Sequence, residues 1–249
     1  MEEYVEAAIA AGVREIGFSD HIPMYWRTEE QADPTSAMAK GELEEYVTDV
    51  CRLQERYPEI PIRLGIEADY IPGYEAELQR ILERYPWDYV LGSVHNIGDW
   101  DFDNPMKIAQ YDQWEIGELY ATFFELEVMA VRSGLFDIMT HLDLIKKFGH
   151  RPAYDLTPVY ADLAGVIAEA GVAIELSTAG RRKPVGEDYP HPSLLRECAR
   201  RGVPLILSSD SHHPREVAHC FADAREAALV AGFTQVVRFE KRRRFSDQL

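Results

Sequence analysis

Residues 62–70 read IRLGIEADY, a short apolar run that ends in two carboxylates, Glu67 and Asp69. The run has the length and composition of a buried β-strand, and its polar end marks where the chain leaves the core. The same pattern recurs in VREIGFSDH (13–21), YVLGSVHN (89–96), FDIMTHLD (136–143), GVAIELSTA (171–179) and VPLILSSDSH (203–212), followed by a last apolar run, TQVVRFE (234–240). Because longer amphipathic stretches separate the runs, the chain is predicted to form repeated β/α units on a parallel sheet.

The composition indicates how many domains the chain forms and which binding partners its charge disfavours. A chain of 249 residues with 46% hydrophobic side chains and no Ser-, Gly- or Pro-rich linker predicts one folded domain over residues 1–249. Its net charge of -17, from 26 basic and 43 acidic residues, opposes binding to nucleic acid or anionic lipid. The basic run KRRR at 241–244 is predicted to be a solvated tail.

The expected location is the cytoplasm. No apolar run approaches the roughly 20 residues that a bilayer helix needs, and the first residues, MEEYVEAAIAAG, are acidic where a signal peptide is basic. The three cysteines, Cys51, Cys198 and Cys220, form no CxxC pair, so neither a disulfide framework nor a thiolate metal site is expected.

The chemistry is predicted by how the strands end. Imidazoles and carboxylates close most of the apolar runs, and parallel strands of a barrel bring their carboxyl ends to one face. Several carboxylates in one cleft are costly unless cations compensate them, so a metal site is expected. Ligands without thiolate suit Zn, Mn or Fe, and two or three ions are plausible. The side chains that end the runs are Asp20 and His21, Glu67 and Asp69, His95, His141 and Asp143, Glu175, and Asp210 with His212. Asp143 and Glu175 are expected to support these ligands.

Basic residues follow two of these strands. The loop KKFGHR (146–151) and the run AGRRKP (179–184) put positive charge beside the expected metal face, where phosphate is the natural ligand. These two basic segments are therefore expected to bind the phosphate of a substrate. The expected partner is a small phosphate ester, and the sequence does not predict an oligomeric state.

The chain opens on an amphipathic stretch, residues 1–11, whereas every later helix follows a strand. Later helices are predicted to start near Glu42, Tyr74, Tyr111, Thr157, Pro192 and Pro214. Two explanations stay open for the beginning: a first strand is missing, or the fold opens with a helix.

The motifs FSDH-P, GIEAD, DYVLGSVH, SGLFDIMTHLDLIKKFGHR, ELSTAG and SSDSH-P resemble, in this order and over almost the whole chain, those of histidinol phosphatases in the polymerase and histidinol phosphatase (PHP) family. The resemblance implies a distorted seven-stranded (β/α) barrel with three metal ions that hydrolyses L-histidinol phosphate in histidine biosynthesis. The family's opening motif, a strand ending in His-x-His, has no counterpart, which predicts that the first strand is missing.

Carried over by motif, the resemblance gives each residue a role. Glu67 matches the ligand that bridges the first and second ions, and Asp210 matches the other carboxylate of the first. His95 and His141 match the second ion, His21 and His212 match the third, and Arg151 matches a phosphate-binding arginine. Lys147 and Arg181 are assigned only by their proximity in the sequence. The proton donor to the leaving oxygen stays open, with a metal-bound water, His21 and Asp20 as candidates.

The predicted function is metal-dependent hydrolysis of a phosphomonoester, with L-histidinol phosphate as the expected substrate. Two alternatives stay open. One is a PHP phosphoesterase with a different small phosphate ester as its substrate. The other is a truncated, catalytically impaired barrel that binds a metal or metabolite.

Overall fold

A computed structural model describes residues 1–249, and its centre is a six-stranded parallel sheet. The sheet has the strand order β1-β2-β3-β6-β7-β8 and is curled into an open half-barrel. These strands are β1 (Ile16–Phe18), β2 (Ile62–Asp69), β3 (Tyr89–Ser93), β6 (Ile138–Met139), β7 (Ala173–Ser177) and β8 (Leu205–Ser208). The predicted β/α alternation on a parallel sheet is therefore confirmed.

Two further pairs of strands are antiparallel hairpins. The short pair β4 (Asn96–Ile97) and β5 (Trp100–Asp101) follows β3, and the pair β9 (Gln235–Glu240) and β10 (Arg243–Gln248) ends the chain. The seventh predicted strand is thus a strand, but it pairs with β10 and lies outside the parallel sheet. The reason is local: Lys241 and Arg242 have φ of 51° and 60°, the left-handed geometry of a two-residue hairpin turn.

The basic run at 241–244 is exposed, as predicted, but it belongs to the hairpin and is not a tail. The backbone N–H groups of Lys241 and Arg242 donate to the carboxylate and the carbonyl of Asp88, both at 2.9 Å. The Arg242 guanidinium also pairs with Asp137, and Arg244 donates to the carbonyl of Gly171 at 2.9 Å. These contacts fasten the hairpin to the segments that precede β3, β6 and β7.

Seven helices cover the sheet. They are α1 (Glu2–Ala10), α2 (Leu43–Arg56), α3 (Glu75–Leu82), α4 (Ile116–Ser133), α5 (Thr157–Ala170), α6 (Pro192–Arg200) and α7 (Phe221–Ala231). The helix expected from Tyr111 begins later, because residues Pro105–Gln113 form a 3-10 segment and the Glu115 side chain caps α4 by accepting from Glu118 N. The helix expected from Pro214 likewise starts at Phe221, after a short 3-10 turn.

Glycines permit close packing inside the sheet. A Cβ on Gly17 or Gly65 would lie 2.2 Å from the side chain of Tyr89, which therefore occupies the space that these two residues leave. The Tyr89 hydroxyl donates to the carbonyl of Phe18 at 3.1 Å, so the ring from β3 supports the end of the edge strand β1.

The two edges of the half-barrel, β1 and β8, face a cleft of about 1570 Å³. Its lining combines apolar side chains, among them Phe18, Leu91, Ile206 and Phe239, with polar residues at the strand ends, among them His21, Glu67 and Asp210. No helix of the structure is both long enough and apolar enough to cross a membrane.

Candidate metal centre

The six predicted ligands meet at the carboxyl ends of the parallel strands. Glu67 lies near the end of β2, His21 and His95 follow β1 and β3, and the remaining ligands follow β6 and β8. The strand pairing sets this arrangement, because neighbouring parallel strands in register end at the same edge of the sheet.

Glu67 is the centre of the cluster. Its Oε1 lies 3.1 Å from Nε2 of His141 and 3.5 Å from Nε2 of His95, and the residue is only 6% exposed. The third imidazole neighbour is that of His21, whose segment pairs with Glu67 through the backbone. Glu67 N donates to the carbonyl of Asp20 at 3.0 Å, and Ile22 N donates to the carbonyl of Glu67 at 2.8 Å. One carboxylate therefore faces imidazoles from three different loops.

His21, Glu67 and His95 form the tightest group, in which one donor atom from each lies within 4.8 Å of the others. The ring of His21 also stacks on that of His212, with centroids 6.3 Å apart. Nε2 of His212 lies 3.2 Å from Oδ1 of Asp210, which joins the residues after β8 to the cluster. All six predicted ligands are thus linked by direct neighbours.

Two of these residues have unusual backbone geometry. His141 and Asp210 have φ of 24° and 42°, in a region that residues other than glycine rarely adopt. Glu175 holds the first of them, since its Oε2 accepts from His141 N at 3.0 Å, and Ser208 Oγ accepts from Asp210 N at 2.9 Å. Such strain persists where surrounding contacts enforce it, and it is frequent at functional sites.

The electrostatics of the cluster favour bound cations. Burial would raise the pKa of Glu67, but three neighbouring imidazoles lower it to about 2. Burial would lower the pKa of His95, but carboxylates, first those of Asp69 and Asp103, raise it to about 10. The carboxylates thus favour the protonated, positively charged form of the imidazoles. Bound divalent ions would provide the compensating positive charge in place of those protons.

The donor set fits a divalent metal. Carboxylate oxygens and imidazole nitrogens without thiolate are ligands for Zn, Mn or Fe. His141 Nδ1 is buried without a hydrogen-bond partner, so this ring has an uncommitted nitrogen. Asp69 Oδ1 lies 2.7 Å from His95 Nδ1, the contact by which a carboxylate orients a ligating imidazole. The sequence showed Asp69 at a strand end but gave it no role.

Each of the three predicted phosphate-binding residues is paired with a carboxylate. Arg181 binds the carboxylates of Asp188 and Asp223, which commit its guanidinium to the loop. Arg151 pairs with Glu187 at 2.8 Å, and both side chains are partly exposed. Lys147 pairs with Asp103 at 2.8 Å.

Arg182 was missed by sequence reasoning. Its Nη2 donates to the carbonyls of Ser209 and Asp210 at 2.7 and 2.8 Å, and its buried Nη1 has no partner. The double arginine at 181–182 was the available signal, but the sequence could not say which of the two faces the cluster.

Comparisons with known proteins agree with this geometry. Residues 1–179 match the family described as PHP domain. The chain is 44% identical over 243 residues to the protein named probable histidinol-phosphatase of Deinococcus radiodurans, covering 96% of this chain and 90% of that protein. It is 26% identical over 245 residues to the histidinol-phosphatase of Bacillus subtilis, covering 89% of this chain and 90% of that protein.

A solved structure shares the fold. The histidinol phosphate phosphatase of Lactococcus lactis, crystallised with zinc, L-histidinol and phosphate, superposes with a TM-score of 0.82. The match covers 98% of this chain and 92% of that chain at 23% sequence identity.

Proposed function

Because this chain belongs to the PHP family, we propose that it is a histidinol-phosphatase, a phosphoric monoester hydrolase that converts L-histidinol phosphate to L-histidinol and phosphate. The observation that carries the proposal is the carboxylate of Glu67, buried between imidazoles from separate strands. This arrangement can hold metal ions and has no evident use in packing. The reaction is a step of histidine biosynthesis.

The proposed ligands are His21, Glu67, His95, His141, Asp210 and His212, holding two or three divalent ions of Zn, Mn or Fe. Bound ions would supply Lewis-acid stabilisation of the phosphoryl charge. Asp69 then fixes the orientation of His95, and Glu175 fixes the backbone of His141. His21 and Asp20 are the candidates to protonate the leaving oxygen.

The proposed phosphate-binding residues include Arg182 in addition to the predicted Arg151 and Lys147. Two carbonyls hold the Arg182 guanidinium beside Asp210, and its Nε lies 3.6 Å from Oε1 of Glu216. Its Nη1 has no partner, so a phosphate at the metal cluster can accept from Nη1 while the contact with Glu216 stays in place. Arg181, in contrast, would first have to leave two carboxylates.

We also propose that a seventh parallel strand completes the barrel between β1 and β8. The cleft lies between the unpaired edges of these two strands, and its lining includes apolar side chains of the strands together with His21 and Asp210. A strand ending in His-x-His would place its imidazoles at the cluster. A longer chain that carries such a strand should bind more metal per protomer than residues 1–249; equal stoichiometry would contradict this proposal.

The cytosol is the proposed compartment. The three cysteines are free, as expected where thiols stay reduced. Fractionation of the producing cells would test it, and activity confined to the extracellular fraction would contradict it.

Release of inorganic phosphate from L-histidinol phosphate tests the function. With added Mn or Zn we expect turnover that a chelator abolishes, and weaker turnover of nucleotide monophosphates. His141→Ala should lose metal and activity together, whereas His213→Ala should retain both, because its ring only accepts from Arg215 N. Preference for a nucleotide would favour a different phosphoesterase. Absence of turnover in a metal-loaded chain would favour an impaired barrel.

A further inference from the structure

A largely buried ion pair borders the metal cluster. Oδ2 of Asp103 lies 2.8 Å from Nζ of Lys147, and the two side chains are 21% and 13% exposed. The backbone fixes the position of the pair, because Phe102 N donates to the carbonyl of His95 at 3.1 Å. The pair therefore lies beside the segment that carries His95, and the Asp103 carboxylate is close enough to act on the charge of that imidazole.

A second pair supports the first from the same loop. Asp101 accepts from Asn104 Nδ2 at 3.0 Å and from Lys107 Nζ at 3.3 Å. Asp103 and Lys147, from two different segments, thus present one negative and one positive group beside the site.

We propose that Asp103 and Lys147 together select a substrate with an ammonium group near its phosphate. The phosphate takes the place of Asp103 on Lys147, and the freed carboxylate of Asp103 binds the ammonium. The inference rests on the proposed function, since L-histidinol phosphate is such a zwitterionic ester.

The selectivity follows from the burial of the pair. A phosphate ester without an ammonium would leave Asp103 unpaired in a poorly solvated place, and a lone ammonium would leave Lys147 unpaired. Leaving one member of a buried pair alone is strongly unfavourable. An ester that carries both charges exchanges one ion pair for two, with no charge left over.

The neighbouring pair Arg151–Glu187 provides the matched control. It also joins a basic residue to a carboxylate at 2.8 Å, but its side chains are 37% and 41% exposed. Glu187 contacts both Arg151, at 2.8 Å, and Lys146, at 3.6 Å. Water can therefore solvate Glu187 if its partner is engaged elsewhere.

The test compares two esters, L-histidinol phosphate and the analogue in which hydrogen replaces the amino group. We expect the parent enzyme to prefer the amino ester by about 10- to 100-fold in kcat/KM. Asp103→Asn should abolish this preference by raising the KM of the amino ester, which loses its ion pair, and by lowering the KM of the analogue, which no longer leaves a buried carboxylate unpaired. Glu187→Gln should keep the preference.

Lys147→Gln provides a second variant, which should raise the KM of both esters because both carry the phosphate. The proposal is overturned if Asp103→Asn retains the parent's preference, or if Glu187→Gln loses it instead. Phosphate release from neither ester by the parent enzyme would refute the proposed function as well. The two failures are therefore distinguishable.

Discussion

Oδ1 of Asp69 lies 2.7 Å from Nδ1 of His95, while Oε1 of Glu67 lies 3.5 Å from the other nitrogen of the same ring. Residues two apart on a strand point to the same face, so β2 presents both carboxylates to one imidazole. Donation of Nδ1–H to Asp69 leaves the Nε2 lone pair directed toward Glu67 and the cluster. The alternation of side chains along β2 thus favours the His95 tautomer that is protonated on Nδ1, which leaves Nε2 free to bind a metal ion.

Asp69→Asn should weaken metal binding by about 10- to 100-fold, because the amide is a poorer acceptor for the imidazole N–H. Titration of the metal-free protein with Zn or Mn measures the change, with circular dichroism to verify the fold. Asp49→Asn, on the exposed surface of α2, is the control and should bind metal as the parent does. Equal affinities in the two variants would refute the orienting role of Asp69.

Glu175 is expected to act through the backbone of His141. Glu175→Gln retains an oxygen that can accept from His141 N and should keep most of the metal and activity. Glu175→Leu leaves this buried N–H unpaired, at a cost of about 1–3 kcal/mol, and should lose both. Metal stoichiometry and kcat separate the two variants. If Glu175 were itself a ligand, the glutamine variant would be as deficient as the leucine variant.

The adjacent arginines should give opposite phenotypes. Arg182→Ala should raise the KM for L-histidinol phosphate about tenfold or more, since a charge-assisted bond to phosphate contributes about 1.5–3 kcal/mol. Arg181→Ala should instead lower the free energy of unfolding by about 1 kcal/mol by breaking its pairs with Asp188 and Asp223. Steady-state kinetics and urea unfolding on both variants test this, and a KM effect confined to Arg181→Ala would reverse the assignment.

The sequence predicted the strands and the convergence of the ligands because both follow from local rules. Apolar runs mark the strands, and parallel strands bring their polar ends together. The basic loops were harder, because nothing local distinguishes the side chain of Arg181, which pairs with two carboxylates, from that of Arg182. The C-terminal hairpin was missed for a similar reason: its left-handed turn is formed by Lys241 and Arg242, without the glycine or asparagine that normally signals one.

Asp88 should be important for stability far from the metal site. Its carboxylate accepts from the backbone N–H of Leu64 and of Lys241, both at 2.9 Å, and so joins β2 to the C-terminal hairpin. Asp88→Ala leaves the buried N–H of Leu64 without a partner and should lower the free energy of unfolding by about 2–3 kcal/mol. Urea denaturation measures the effect. Asp162→Ala, an exposed change on α5, should alter it by less than about 0.5 kcal/mol.

Glu127 on α4 should make the stability depend on pH. The residue is fully buried, and neither carboxylate oxygen has a hydrogen-bond partner. Burial, reinforced by Asp143, raises its pKa well above the ordinary value of 4.5. At pH values between 4.5 and the raised pKa, Glu127 is protonated in the folded protein but ionised in the unfolded chain. The free energy of unfolding therefore falls as the pH rises through this range.

Glu127→Gln removes this titration while keeping the shape of the side chain. The stability difference between variant and parent should therefore be smallest near pH 4 and should grow in favour of the variant as the pH rises, by at most about 1.4 kcal/mol per pH unit. Urea unfolding of both proteins at a series of pH values, with chelator present, measures the difference and cancels the titration of the other groups. A difference that is constant with pH would mean that Glu127 is already ionised in the folded protein, and a cation would then have to lie within its reach.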